Sequence, residues 1–425
     1  MACIVGSLEA QTLSPYSRYG YGILRDQAVG PSKAMGGIGY GLRNNLSANP
    51  LNPASYSKVD SLTFLFDIGV YANYGKLSDS YGSESDYNGG LDYITVLMPL
   101  TKGLGLSAGI LPYSSVGYKY GSEETTENSS VPYTKYFSGN GGISQVYLGL
   151  GYSLPIKGLS LGANASYLFG TLEYNRSLPY VGSSASNSYT SQDNTHLSIK
   201  GFKFDLGLQY ELNLPNSNIL TLGAVYSPKI NTTARYENYH YEISGSYAVE
   251  GDTTIIKGLD AGLPETYGVG FTFNHNNRYT FGADVMYQKW SDVKYSSIMG
   301  DGLSASDRFN DRWKYSVGGE YMIDPYNRSF FKRIKFRGGL NYSNSYMNVQ
   351  NENGDIKGFN EYGATLGFGL PIRVSDMGFR TSYLNINFEY KKVKPKVKGM
   401  IDEQYFGISV NMNINEFWFF QKKID

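Results

Sequence analysis

No run of apolar residues approaches the ~18 needed to cross a bilayer as a helix, so transmembrane helices are excluded. Cysteine is nearly absent: Cys3 is alone, which rules out an intrachain disulfide and a cysteine-based metal centre. There is no excess of either charge. The 37 Lys and Arg balance 37 Asp and Glu, leaving nucleic acid, or an acidic substrate held by bulk charge, without electrostatic support. Histidine is scarce, and His196, His240 and His275 have no ligand-spaced partners, so no metal site is expected. No nucleophile elbow or His-Ser pairing stands out, and the cluster Gly36–Gly41 lacks the Lys-Ser/Thr and following helix of a phosphate cradle. Asp284, Glu320 and Glu389 read as bracing partners for Arg337 or Arg380 rather than as acid–base catalysts. The expectation is a protein that is not an enzyme and takes no cofactor or metal.

What the chain has in abundance is aromatic residues and glycine: 40 Tyr, 21 Phe and 51 Gly. The stretch Gln404–Asn415 shows how they are used. Phe406, Ile408, Val410, Met412 and Ile414 alternate with Gly407, Ser409, Asn411, Asn413 and Asn415. Successive residues of a strand face opposite ways, so one face is apolar and the other polar or small. At about 3.3 Å per residue such a strand spans ~40 Å, enough to cross a bilayer at a tilt. Leu384, Ile386, Phe388 and Tyr390 alternate with Asn385, Asn387 and Glu389 in the same way. A soluble sandwich also alternates, but here the polar face is Asn-rich rather than Lys/Glu-rich, and the theme recurs along most of the chain. Inward polar residues also explain the negative mean hydropathy. The pattern predicts an all-β fold, a transmembrane antiparallel β-barrel.

Residues 1–10, which include Cys3, read as the remnant of a secretory signal cleaved near Ala10 and Gln11; a lipid-anchored Cys3 is the alternative. Residues 11–58 are broken by Ser14-Pro15-Tyr16, by Gly36, Gly37, Gly39 and Gly41, and by Asn49-Pro50-Leu51-Asn52-Pro53-Ala54. Irregular backbone survives at membrane depth only inside protein or a watery lumen, so this segment reads as an N-terminal plug, or hatch, with a periplasmic extension as the alternative. Residues 59–425 read as barrel, with short connections at 100–104, 155–159, 215–218 and 274–278 alternating with long polar stretches. The connections divide this region into fourteen strands, about 61–77, 91–101, 104–119, 142–154, 159–175, 196–214, 218–235, 264–274, 278–290, 308–323, 334–347, 358–372, 379–392 and 404–415. Residues 236–262 leave room for a further extracellular hairpin. Asp284, Glu320, Arg337 and Glu389 are the candidate polar residues of the lumen. Trp290, Trp313 and Trp418 read as interfacial anchors or packing residues, and Phe417-Trp418-Phe419-Phe420 as girdle or assembly signal.

Four blocks in order resemble the FadL family of outer-membrane transporters for hydrophobic compounds. They are Met35-Gly36-Gly37 with Asn52-Pro53-Ala54, then Leu263-Pro264-Glu265-Thr266-Tyr267-Gly268-Val269-Gly270, then Asp284-Val285-Met286-Tyr287 with Trp290-Ser291, then Asp311-Arg312-Trp313 followed by Ser316-Val317-Gly318-Gly319-Glu320-Tyr321 and Arg337-Gly338-Gly339-Leu340-Asn341-Tyr342. The resemblance covers most of 30–345. It implies a fourteen-stranded barrel with an N-terminal hatch, integral to the outer membrane of a Gram-negative bacterium and surrounded by its lipids. It also implies an apolar ligand, fatty-acid-like or otherwise, taken from an outer groove to a pocket near the hatch, and it places Gly36, Gly37, Asn52, Pro53 and Ala54 there. The outer loops depart from that pattern, since 79–89, 123–130 and 183–193 are rich in Ser, Asn, Tyr and acid rather than Leu and Phe. PorV-like barrels share the architecture and dock into larger outer-membrane secretion or assembly machines. Two expectations therefore stand: passage of a hydrophobic small molecule or lipid, or a non-transporting subunit bound to other outer-membrane proteins.

Overall fold

The computed structural model describes residues 13–417, apart from 81, 127–128, 181–188, 245–246, 300–302, 351–353, 374–380 and 398. Short turns fix where the strands reverse. Gly103 and Gly158 adopt φ of 79° and 85°, and the pairs Asn216–Ser217 and Asn276–Asn277 hold φ between 53° and 60°. Tight hairpins need such left-handed backbone, which Gly and Asn supply cheaply.

The strands, in chain order, begin with β1 (Ile23–Leu24), β2 (Thr63–Ser78), β3 (Ser83–Thr101), β4 (Leu104–Ser115), β5 (Tyr118–Thr126), β6 (Ser129–Ser153) and β7 (Leu159–Tyr180). They continue with β8 (Tyr189–Leu214), β9 (Asn218–Ser227), β10 (Thr233–Ser244), β11 (Tyr247–Asp260), β12 (Glu265–His275), β13 (Tyr279–Lys289) and β14 (Arg312–Met322). The last are β15 (Lys335–Asn344), β16 (Val349–Gln350), β17 (Ile356–Lys357), β18 (Phe359–Arg373), β19 (Thr381–Pro395) and β20 (Asp402–Phe417). Fourteen of them form the closed wall, in the order β2-β3-β4-β6-β7-β8-β9-β12-β13-β14-β15-β18-β19-β20, every pair antiparallel. Closure is made by β2 on β20, from Thr63↔Phe417 to Ser78↔Asp402. A closed wall leaves no sheet edge in lipid.

The packing is inverted relative to a soluble protein. On β20, Ser409, Asn411, Asn413 and Asn415 are buried inside, whereas Phe406 is 53% and Ile408 41% exposed. On β8, Phe202, Phe204, Leu206, Leu208 and Tyr210 are exposed in succession, alternating with the buried Asp205 and Gln209. These are the two faces that the alternation predicts.

The wall strands are longer than expected at the loop end. Much of what reads as polar loop (78–90, 121–140, 236–256) is ladder, because β2–β3, β5–β6 and β10–β11 continue pairing past the apolar band. Polar side chains cost nothing on a strand that has risen into water. Two expected strands are interrupted: 104–119 divides into β4 and β5, and 218–235 into β9 and the start of β10. The β10–β11 hairpin is the additional one for which 236–262 left room. Above Ile94↔Ile110, β3 and β4 part, and β1 pairs with the freed edge through Ile23↔Ser115 and Leu24↔Ser114. Cys3, Ala10, Gln11, Arg380, Trp418, Phe419 and Phe420 lie outside the described residues.

Candidate functional site

The N-terminal residues from 13 to 58 lie inside the wall, and the wall is shaped to receive them. Gly223 and Gly162 show how: a Cβ at Gly223 would overlap the Tyr40 carbonyl oxygen, and one at Gly162 the backbone of Pro53 and Ala54. Glycine at these inward positions lets two backbones touch. Polar wall residues then satisfy the irregular backbone. Asp284 Oδ2 accepts the N–H of Gly39 at 2.5 Å and of Tyr40 at 2.9 Å. Gln209 donates to the carbonyls of Tyr40 and Leu42, Thr272 to that of Gly41, and Thr365 to that of Ala34. Tyr93 accepts the N–H of Gly30 and donates to Asp67, while Asn411 donates to Tyr93. Buried backbone groups must be paired, and here the Asn-rich inner face does the pairing.

Asn52 is fully buried. Its Nδ2 donates to the carbonyls of Tyr40 and Leu208, and its Oδ1 accepts the N–H of Ala54, starting the 3-10 turn Pro53–Lys58. Gly36 and Gly37 follow the single helical turn α1 (Pro31–Ala34) with φ of 67° and 82°, and Gly36 lies against the wall backbone of Val317 and Leu340. Ion pairs add to these bonds. Lys314 meets Asp26 at 2.6 Å, Lys33 and Arg25 both reach Asp92, and at the turn end Lys58 and Arg43 share Glu211 at 3.1 and 3.7 Å.

Above this segment, at the loop end, sits an aromatic core. Trp290 is fully buried, with ring centroids 4.4 Å from Tyr346, 5.5 Å from Phe309 and 5.7 Å from Tyr21. Tyr346 donates to the Gly22 carbonyl and accepts the N–H of Tyr21, so this core grips the start of the N-terminal segment. The Trp290-Ser291 and Asp311-Arg312-Trp313 motifs meet here. Asp311 accepts the N–H of Ser291 at 3.0 Å and the Tyr287 hydroxyl at 2.6 Å. Trp313, 42% exposed, faces outward.

Between the segment and the wall remains a cavity of about 210 Å³. Arg25, Lys33, Arg312, Lys314 and Lys391 line it, together with Asp26, Asp92, Asp284, Glu361, Glu389 and Glu403. Most of these charges are already paired, for example Lys391 with Glu361 at 2.6 Å. An apolar solute placed there would strip water from charged groups and return nothing to them.

Of the candidate lumen residues, Asp284 and Glu389 line this cavity. Glu320 and Arg337 pair with each other at 2.7 Å, with Lys335 on Glu320 and Asn385 on Arg337, and brace the wall away from it. Gly37 reaches the cavity; Gly36, Asn52, Pro53 and Ala54 are packed against wall glycines instead. His196, His240 and His275 stay apart, and among the described residues no cluster of ligating side chains could hold a metal. Sequence reasoning missed Arg25, Lys33, Asp92 and Glu211. A charged residue in a segment expected inside a barrel implies a wall charge opposite it, but not which one.

No curated protein matches the chain. The solved structures it is similar to include the Pseudomonas putida toluene transporter TodX, 18% identical with a TM-score of 0.63 over 93% of this chain and 100% of that one. A Pseudomonas aeruginosa FadL homologue is 15% identical, with a TM-score of 0.59 over 94% and 100%. The Ralstonia pickettii toluene transporter TbuX is 14% identical, with a TM-score of 0.54 over 92% and 98%. The shared fold is thus that of FadL-type barrels. The family model described as BamG matches residues 1–425, from one end of the sequence to the other, and the chain belongs to the BamG family.

Proposed function

We propose that this is an integral outer-membrane barrel of a Gram-negative bacterium whose task is to dock with other outer-membrane proteins in a larger complex, not to conduct. In this reading residues 11–58 are a structural plug and 59–425 the barrel. The observation that carries it is the charged lumen, in which the N-terminal segment is tied to the wall by Asp284, Gln209, Thr272, Thr365 and two sets of ion pairs. A path for an apolar molecule needs apolar surface at each stage. The cavity offers charge, and the loop-end aromatics are spent on one another. Membership in the BamG family points the same way, toward the docking reading.

A second reading keeps the transport that the FadL-type fold suggests, and one observation favours it. Where β3 and β4 part, the described residues that complete the wall are the two-residue β1, Arg25, whose N–H donates to the Tyr113 carbonyl, and Gln27, which donates to the Pro112 carbonyl. An apolar molecule would leave sideways there, at the edge of the charged cavity that Ile23, Leu24 and Gln27 also line. Extraction of the protein from native outer membranes in mild detergent, followed by native mass spectrometry, separates the readings. A fixed heavier assembly supports docking. A monomer carrying fatty-acid-sized mass overturns it in favour of lateral transport.

A further inference from the structure

The strand β11 has one ladder partner among the described residues, β10; its other edge is open. Only its base is held, where Ser296 donates to the Asp260 carbonyl and Gly262 to that of Lys294. From Lys257↔Arg235 to Glu250↔Glu242 the register runs without a shift, so this part of the strand is regular. Residues 251–255 are all exposed. Its neighbour β10 lies on the part of β8 (189–200) that rises beyond the apolar band, so the open edge stands outside the membrane.

Free edges of this length are ordinarily shielded by lysine, proline, a bulge or a covering loop. Here 247–260 contain no proline and one lysine, Lys257, and the two bulges, at Gly258 with φ of 75° near the base and at Val249 near the tip, leave 250–257 between them regular. We infer that β11 is an acceptor for an added strand from a different surface or outer-membrane protein, and that the strand it takes is basic. The inference rests on the docking reading above.

The charge sets the chemistry of the partner. Across 233–260, Glu237, Glu242, Glu250, Asp252 and Asp260 face two bases, Arg235 and Lys257, a net charge of −3. Charge argues against a second copy of this chain, whose own hairpin would bring the same excess of acids to the edge. β11 descends toward the membrane. Every ladder in this sheet is antiparallel, and that pairing calls for a partner segment running away from the membrane. Main-chain hydrogen bonds would give the affinity and alternate side chains the selection.

The test uses the full-length protein in its native membrane, with a photo-crosslinking residue placed in turn at Thr253, Thr254, Ile255 and Ile256. A strand added to the edge lies beside both faces of β11, so all four positions reach one Lys- or Arg-bearing segment of the same protein. The variant Thr253→Lys with Ile255→Lys, which leaves every backbone group in place, is expected to lower recovery of that protein at least tenfold. Heat-modifiable migration of the barrel on gels stays unchanged and shows that it is folded. Crosslinks from one parity alone mean docking on a face and overturn the proposal. So does a complex that survives the double variant, and in that case the docking reading stands. A monomer in native mass spectrometry overturns both.

Discussion

The Asp284 carboxylate, on a wall strand, accepts the backbone N–H of Tyr40 from the N-terminal segment at 2.9 Å. The same oxygen also takes the N–H of Gly39, so one side chain holds the turn that packs on the wall at Gly223. Hydrogen bonds to a charged acceptor contribute about 1.5–3 kcal/mol each. Asp284→Ala is expected to loosen the segment by about 3 kcal/mol while the wall, whose ladder does not use this side chain, stays closed. Limited proteolysis of the purified protein checks it. Faster cleavage within 30–45 with an intact barrel is the expected result, and unchanged cleavage would show that the remaining wall contacts hold the segment without Asp284.

Gly223→Val tests the wall glycines. The added side chain collides with the Tyr40 carbonyl rather than with a flexible group, so the segment has to lift away. Outward residues Leu222 and Ala224 are untouched, and the barrel should still form. Expected is a heat-modifiable barrel whose segment is open to protease; loss of the barrel itself would mean that wall and segment form only together.

Deleting Gln27–Ser57 removes the residues that fill the lumen. In planar bilayers the shortened protein should conduct in steps, where the intact one is silent. If the two proteins have equal conductance, the segment is not what seals the barrel.

Asp311 gives a pH dependence at the loop end. Burial alone pushes its carboxyl up, but the hydrogen bonds from the Tyr287 hydroxyl and the Ser291 N–H outweigh that and leave it below the usual 3.8. A depressed carboxylate contributes its stability above the unfolded value and loses it as pH falls through the folded one. The contact should therefore be complete above pH 3.8 and be lost below it. Trp290, next to Ser291, reports on it. With Trp313 and Trp418 replaced by Phe, its emission should shift to the red below that pH, and Asp311→Asn should abolish the transition in this window.

The barrel was legible because a lipid-facing strand has to alternate. Phe406 to Ile414 carry the outward face and Asn411 to Asn415 the inward one, and the hairpins turn at Gly103, Gly158, Asn216 and Asn276, where left-handed backbone is needed. Above the bilayer that constraint ends, so 83–90 and 129–140 read as loop although they are ladder. The lumen was half legible. Asp284 could be placed inside from strand parity alone, yet its partner is backbone N–H, which carries no residue-type signal. Trp290 was equally open between anchor and core, since a strand's end fixes no face. Only the meeting of Tyr21, Phe309 and Tyr346, drawn from three distant stretches, decides it.

The closing ladder between β2 and β20 constrains the order of assembly. Residues 13–58 precede the first wall strand, and the strand that seals the cylinder is the last one synthesised. Thr63 and Phe417 thus stay apart until all fourteen wall strands exist, and the enclosed segment must already be between them when they meet. Joining ends so distant in sequence is intrinsically slow. Until it happens, the Asn-lined inner face and both wall edges are open, so whatever attends this protein during insertion handles a curled sheet rather than a finished cylinder.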